Sequence, residues 1–152
     1  MRTVRESVLV QATPESVWEV LMDPYYTPKL YPDILNITVD PPGRAVVGQK
    51  RTVGGKAGKR LIELRTVVLD LVPLQRFEVG GRPGGALEEF SEVLELSQVK
   101  GGTQVKITFV FKVSEDYFGP EFDLFTLEQM VVRNQEVYIK NLKELSELRK
   151  VG

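Results

Sequence analysis

Residues 103–113 have the sequence TQVKITFVFKV, in which apolar side chains occupy every second position. This alternation predicts a strand with one buried face and one wet face, which is typical of an antiparallel sheet. Gly101-Gly102, directly before it, predicts a tight hairpin to a preceding strand. The predicted apolar face carries Val105, Ile107, Phe109, Phe111 and Val113.

Beyond Gly119-Pro120 the apolar spacing changes to that of a helix and continues to about Arg149. A helix of roughly 29 residues is about 43 Å long. A compact domain of this chain length has a diameter of about 40 Å. We therefore expect the C-terminal helix to cross the whole molecule.

One broad stripe of this helix is apolar. Its members are Leu124, Leu127, Met130, Val131, Val137, Tyr138, Leu142, Leu145 and Leu148. Asn134 and Asn141 fall inside the stripe, where an amide without partners would cost about 1–3 kcal/mol. We expect these amides either to bond neighbouring protein groups or to line the polar part of a cavity.

The earlier chain supplies the other elements. Residues 3–12 alternate as a first strand, and Thr13-Pro14-Glu15 has the cap, the proline and the acidic residue of a helix start. Asp23-Pro24 ends that helix, and three prolines in residues 24–32 allow only a second short helix or turn. From Asp33 to Val113, five groups of turn residues separate six further strands. These groups lie at 41–43, 54–55, 73, 80–85 and 101–102.

The order of elements predicts a single α+β domain over residues 1–152. We expect a curved seven-stranded antiparallel sheet wrapped around the long C-terminal helix, with two short helices after the first strand. Apolar residues make up 42% of the chain and charged residues 27%, which is the balance of a globular protein.

Composition also restricts the function. The net charge is −1, so nucleic acid is not an expected partner. The chain has neither Cys nor His, which excludes disulfides, Cys/His zinc sites and Ser-His-Asp chemistry. No acidic cluster suggests another metal site, and no motif calls for a cofactor. There is neither an apolar run long enough for a membrane span nor a signal peptide, and we expect a cytoplasmic location.

Several short strings resemble one known group of proteins. They are ATPESVWEVL at residues 12–21, the pattern of Tyr26, Leu30, Tyr31 and Pro32, the string GTQV at residues 102–105, and the closing helix at 134–148. In this order they are similar to the START-related SRPBCC superfamily, and within it to the polyketide cyclase/dehydrase and coenzyme Q-binding group. The resemblance covers nearly the whole chain.

This resemblance implies a helix-grip fold with a deep cavity between the sheet and the long helix. The superfamily includes lipid and quinone carriers, aromatic polyketide cyclases, an accessory subunit and chaperone-activating domains. The fold does not choose among these functions.

Candidate cavity residues are those on inward faces of the predicted elements. Thr66 shares a face with apolar neighbours, and a polar residue in such a place is more common in a ligand pocket than in a packed core. Glu92 would share the face of Phe90, but strand register is uncertain by one residue, and we favour a solvent-facing Glu92. Tyr31 is a candidate for the pocket rim because it lies among prolines. The predicted ligand-binding residues are Asn134, Tyr138, Asn141, Met130, Phe90, Phe109, Phe111, Thr66 and Tyr31.

The glycine-rich segment 54–60, GGKAGKR, contains Gly-Lys but lacks the spacing and the Ser/Thr of a phosphate-binding loop. We expect a solvated hairpin there, with a basic rim for an anionic head group as the alternative. That rim would comprise Lys50, Arg51, Lys56, Lys59 and Arg60.

Three functions follow from these observations. The first is binding of a hydrophobic or amphipathic small molecule, such as a lipid, an isoprenoid quinone or a polyketide. The second is a cyclase or dehydratase using an inward Glu92, Tyr138 or Arg60. The third is an accessory module with a protein partner, which would require a filled interior and an exposed apolar patch.

Overall fold

Seven antiparallel strands form one sheet in the order β1-β7-β6-β5-β4-β3-β2. The computed structural model describes residues 1–149, so the last three residues of the predicted domain lie outside the described residues. The strands are β1 (Arg2–Val10), β2 (Ile34–Asp40), β3 (Lys50–Ala57), β4 (Arg60–Val72), β5 (Arg76–Gly81), β6 (Leu87–Val99) and β7 (Gly102–Val113). The helices are α1 (Pro14–Met22), α2 (Thr27–Leu30), α3 (Glu115–Phe118) and α4 (Leu124–Leu148), with a 3₁₀ turn at Pro24–Tyr26.

The predicted α+β helix-grip fold is confirmed. Strands β2 to β7 each pair with their neighbour in the sequence, whereas β1 pairs with β7 at the far side of the sheet. The long helix α4 packs against β1 and β7. No helix within residues 1–149 is long and apolar enough to cross a membrane.

Local chemistry explains where the first helices begin and end. The hydroxyl of Thr13 accepts a hydrogen bond of 3.3 Å from the N–H of Ser16, and Pro14 occupies the first turn of α1. After α1, the carboxylate of Asp23 accepts a hydrogen bond of 3.0 Å from the N–H of Tyr25 and caps the 3₁₀ turn. The predicted pair of short helices therefore forms as the capping residues indicate.

The C-terminal helix is shorter than the sequence pattern suggests. The predicted start directly after Gly119-Pro120 is too early, because residues 119–123 lie outside the helices. Asp123 is the extended N-cap residue, and its Oδ2 accepts a hydrogen bond of 2.7 Å from the hydroxyl of Thr126 in the first turn. The main helix α4 begins at Leu124 and has 25 residues, so it is about 37 Å long.

The predicted break at Gly54-Gly55 is wrong, because both glycines lie inside β3. The hairpin turn instead uses Gly58, with a φ of 64°, and Lys59. A Cβ on Gly54 would meet Oδ1 of Asn36 at 2.6 Å, and one on Gly55 would meet the carbonyl oxygen of Asp33 at 2.8 Å. These glycines therefore serve the close approach of β2 to β3.

Candidate functional site

A cavity of about 160 Å³ lies between the sheet and helix α4. Its walls come from strands β2 to β7, from α1 and α2, and from the first half of α4. Most lining side chains are apolar, among them Leu21, Phe77, Val79 and Leu127. Four polar lining residues interact with one another: Tyr31, which is partly buried, and Arg51, Glu92 and Gln135, which are buried.

Three of these residues form a hydrogen-bonded network. The Tyr31 hydroxyl donates a hydrogen bond of 2.7 Å to Oε2 of Glu92. The Nε2 amide of Gln135 lies 3.1 Å from the Tyr31 hydroxyl and 3.3 Å from the same carboxylate oxygen, and donates to both. The network joins the end of α2, the middle of β6 and one face of α4.

Neighbouring contacts fix Tyr31 in place. Its backbone N–H donates to the carbonyl of Thr27 at 3.1 Å and closes the short helix α2. Its ring stacks on that of Tyr138, with 4.5 Å between the ring centroids. The Nδ2 amide of Asn141 donates to the carbonyl of Leu30 at 2.9 Å and so holds α2 against α4. The phenol is therefore positioned by backbone and ring contacts on both sides.

Glu92 is 6% exposed, and its burial raises the pKa of its carboxyl group above the ordinary value. The hydrogen bonds from Tyr31 and Gln135 and the charge of Arg51 oppose this rise, because each favours the ionised form. Burial likewise raises the pKa of Tyr31 and of Tyr138 well above the ordinary value, and the charge of Glu92 adds to both shifts. The tyrosines are therefore hydroxyl donors and not phenolates at neutral pH.

Arg51 is a buried cation, 7% exposed. Its Nε donates to Oε1 of Gln49 at 3.0 Å, and its guanidinium lies 5.5 Å from the centre of the Phe77 ring. Burial lowers the pKa of Arg51, whereas the nearby charge of Glu92 raises it. The described residues contain no direct salt bridge between the two, so the charges interact across a gap.

Two buried polar atoms at this end of the cavity have no hydrogen-bond partner: Nη2 of Arg51 and Oε1 of Gln135. Leaving such an atom unsatisfied costs about 1–3 kcal/mol, and more where the group is charged. Both residues line the cavity. The arrangement therefore leaves one donor and one acceptor, on two residues that line the cavity, without a protein partner.

Seven of the nine predicted ligand-binding residues line the cavity. They are Asn134, Tyr138, Met130, Phe90, Phe109, Thr66 and Tyr31. Phe111 does not; its side chain is fully buried and packs against the ring of Phe109, with 5.2 Å between the ring centroids. Asn141 does not either, because its amide is bonded to Leu30. A role in binding stays a prediction for the seven.

Other expectations about polar residues need correction. The solvent-facing orientation favoured for Glu92 is wrong, because Glu92 pairs with Val79 and Phe109 and faces the interior. Arg51 belongs to the interior and not to a basic rim. Arg60 is not a cavity residue, because its guanidinium donates to the carbonyls of Phe118 at 2.8 Å and Tyr117 at 2.7 Å. It anchors α3 to the start of β4.

Gln135 was not predicted, although its position could have indicated it. It lies three residues before Tyr138 and seven before Leu142, and these spacings place all three on one helix face. It is 2% exposed, whereas the neighbouring Asn134 is only partly buried. The buried amide of the network therefore belongs to Gln135, one position after the predicted Asn134.

The sheet order and the long C-terminal helix define a protein of the helix-grip fold class. The family model for polyketide cyclase / dehydrase and lipid transport matches residues 1–147, and the chain belongs to this family. No curated protein matches the sequence significantly.

Solved structures share the fold. The protein TTHA0849 from Thermus thermophilus has a TM-score of 0.79 at 16% identity, with 99% of this chain and 100% of that chain covered. The ZhuI aromatase/cyclase from Streptomyces sp. R1128 has a TM-score of 0.79 at 19% identity, with 97% and 94% covered. A START superfamily protein from Mycobacterium smegmatis has a TM-score of 0.74 at 14% identity, with 96% and 97% covered.

Proposed function

We propose that this protein binds a hydrophobic or amphipathic small molecule in the cavity between the sheet and α4. The observation that carries the proposal is an interior cavity with mainly apolar walls and one cluster of buried polar groups. Such a combination suits a ligand whose body is apolar and whose orientation is fixed by a few polar contacts. Membership of a family described as polyketide cyclase / dehydrase and lipid transport supports the same proposal.

Apolar burial supplies the main free energy of binding. Each square ångström of apolar surface removed from water contributes about 25 cal/mol. The polar cluster adds selectivity, because a ligand that leaves Arg51 or Gln135 unpaired forfeits their hydrogen bonds. The cavity volume favours a compact ligand over a long acyl chain.

Native mass spectrometry of freshly purified protein, followed by organic extraction and chromatography, tests the proposal. We expect a retained apolar molecule, or uptake of compact aromatic probes such as ethylbenzene by the emptied protein. An interior that neither retains nor takes up any apolar molecule contradicts it.

A matched pair of variants assigns binding to the cavity. Val131→Phe places a larger side chain on α4 where Val131 lines the cavity, and we expect probe binding to weaken about tenfold or more. Val137→Phe makes the same change on α4 at a partly buried position that does not line it. Equal weakening by both variants would place the probe elsewhere.

A second candidate function is a cyclase or dehydratase. The specific observation in its favour is Glu92, a buried carboxyl group at the cavity whose raised pKa suits proton transfer nearer neutral pH. Its hydrogen bonds within the described residues all end at Oε2, which leaves Oε1 for a substrate.

Turnover of a short linear triketone to its aromatic diol, with loss of water, tests the enzymatic candidate. Glu92→Gln keeps the shape and the hydrogen-bond acceptor but cannot transfer a proton. If the protein is an enzyme of this kind, we expect lost turnover with probe binding retained. Unchanged turnover in Glu92→Gln, or none in the native protein, contradicts it.

A further inference from the structure

The polar end of the cavity contains an unmatched pair of side chains. Arg51 and Gln135 are each more than nine-tenths buried, and each keeps one polar atom without a partner. Nη2 of Arg51 can only donate a hydrogen bond, whereas Oε1 of Gln135 can only accept one. Within the described residues neither atom has a protein group as its hydrogen-bond partner.

The rest of the network restricts how these atoms could be satisfied from within the protein. The Nε of Arg51 is bonded to Gln49, whose amide donates in turn to the carbonyls of Pro41, Gly43 and Arg44. The Nε2 of Gln135 is bonded to both Tyr31 and Glu92, which fixes the amide with Oε1 away from them. Both side chains are therefore held by their other bonds, and each keeps one buried atom without a protein partner.

The two residues stand on opposite walls. Arg51 belongs to β3 and Gln135 to α4, and both line the same cavity. Their long side chains converge on Glu92, whose carboxylate bonds Gln135 and interacts electrostatically with Arg51. A molecule in the cavity therefore lies between these two residues.

We propose that Arg51 and Gln135 form a two-point polar subsite for a compact cyclic ligand that carries a carbonyl oxygen and a hydroxyl group. The carbonyl accepts from Nη2 of Arg51, and the hydroxyl donates to Oε1 of Gln135. This inference rests on the proposed binding function and adds the chemical class of the ligand. The apolar body of the ring lies against the remaining cavity wall.

Four probes of nearly equal size separate the contributions of the two groups. Ethylbenzene has neither group, acetophenone has the carbonyl alone, meta-ethylphenol has the hydroxyl alone, and meta-hydroxyacetophenone has both. In a purely apolar cavity ethylbenzene would bind most tightly, because the polar probes lose more hydration. With the subsite we expect the reverse order, with meta-hydroxyacetophenone binding at least about tenfold tighter than ethylbenzene.

Substitutions then assign each group to its residue. In Arg51→Met we expect acetophenone to bind no better than ethylbenzene, and in Gln135→Met we expect the same of meta-ethylphenol. Lys50→Met, at an exposed neighbour in β3, is the matched control and should leave the order unchanged. An order that persists in Arg51→Met overturns the assignment of the carbonyl.

An infrared measurement on the native protein covers the case in which a variant does not fold. The carbonyl stretch of bound acetophenone should move to lower frequency than in hexane, because the oxygen accepts from a cation. A frequency equal to that in hexane overturns the subsite. Tightest binding of ethylbenzene also overturns it while leaving the proposed function intact. Failure of all four probes to bind overturns the subsite, and it contradicts the proposed function as well if the purified protein retains no apolar molecule.

Discussion

The hydroxyl of Tyr31 lies 2.7 Å from the carboxylate of Glu92, although 61 residues separate them in the chain. The contact joins the connection between the first two strands to the centre of the sheet. It gives a buried carboxylate a short donor, and it places both groups in the wall of the cavity.

Removing this donor should destabilise the protein. In Tyr31→Phe the carboxylate keeps only the longer bond from Gln135, and we expect the free energy of unfolding to fall by about 1–3 kcal/mol at neutral pH. Urea unfolding measures the change. Tyr25→Phe is the control, because Tyr25 is 86% exposed, and its free energy should change by less than about 0.5 kcal/mol.

Glu92 should make stability depend on pH. Its pKa is raised in the folded state, so between the ordinary carboxyl pKa of 4.5 and the raised value the folded protein holds more protons than the unfolded chain. The free energy of unfolding therefore falls as pH rises through that window. The groups that face Glu92 are Tyr31, Arg51 and Tyr138, and they remain in one charge state there.

Glu92→Gln removes this contribution. We expect the free energy of unfolding of the native protein, minus that of the variant, to decrease as pH rises from 4.5 towards neutrality. For this single carboxyl group the slope cannot exceed about 1.4 kcal/mol per pH unit. Urea unfolding at several pH values gives the difference, and a difference that is flat or rises with pH would show that the carboxyl pKa is not raised.

Asn141 should contribute to stability and not to ligand binding. In Asn141→Ala the bond to the carbonyl of Leu30 is lost, and we expect a decrease of about 0.5–1.5 kcal/mol in the free energy of unfolding. Affinity for ethylbenzene, measured by calorimetry under conditions where both proteins are folded, should be unchanged. Loss of affinity with unchanged stability would restore Asn141 as a ligand contact.

The packing of α4 is tested at two leucines. Leu142 is fully buried, and Leu142→Ala should lower the free energy of unfolding by about 2–5 kcal/mol. Leu148 is 82% exposed near the end of the same helix, and Leu148→Ala should change it by less than about 0.5 kcal/mol. Similar losses of unfolding free energy in the two variants would mean that α4 does not pack with Leu142 buried and Leu148 exposed.

The hydrophobic periodicity of the sequence predicted most elements of the fold. The alternation in β7 and the capping residues of α1 are local signals, and both predicted their elements. The turn predicted at Gly54-Gly55 is wrong because the sequence alone does not distinguish a glycine that allows close approach of a neighbouring strand from a glycine in a turn. Only the position of β2 distinguishes the two cases.

The polar half of the site was harder to predict. Whether Glu92 faces inward depends on strand register, because a shift of one residue moves every side chain of the strand to the opposite face. Its burial becomes interpretable only when Tyr31 and Gln135, from two distant segments, are placed beside it. Apolar lining residues such as Phe90 and Met130 needed only the periodicity of their own element.

The pairing of the first strand with the last has a consequence for how the chain folds. Strands β2 to β7 can form a meander by successive hairpins. The pairing of Arg2 in β1 with Phe111 in β7 instead joins the two ends of the chain's strand region. Closing so long a loop has a high entropic cost, and contacts of this kind slow folding. We expect β1 to join the sheet late in folding, so that the part of the sheet on which α4 packs is completed last.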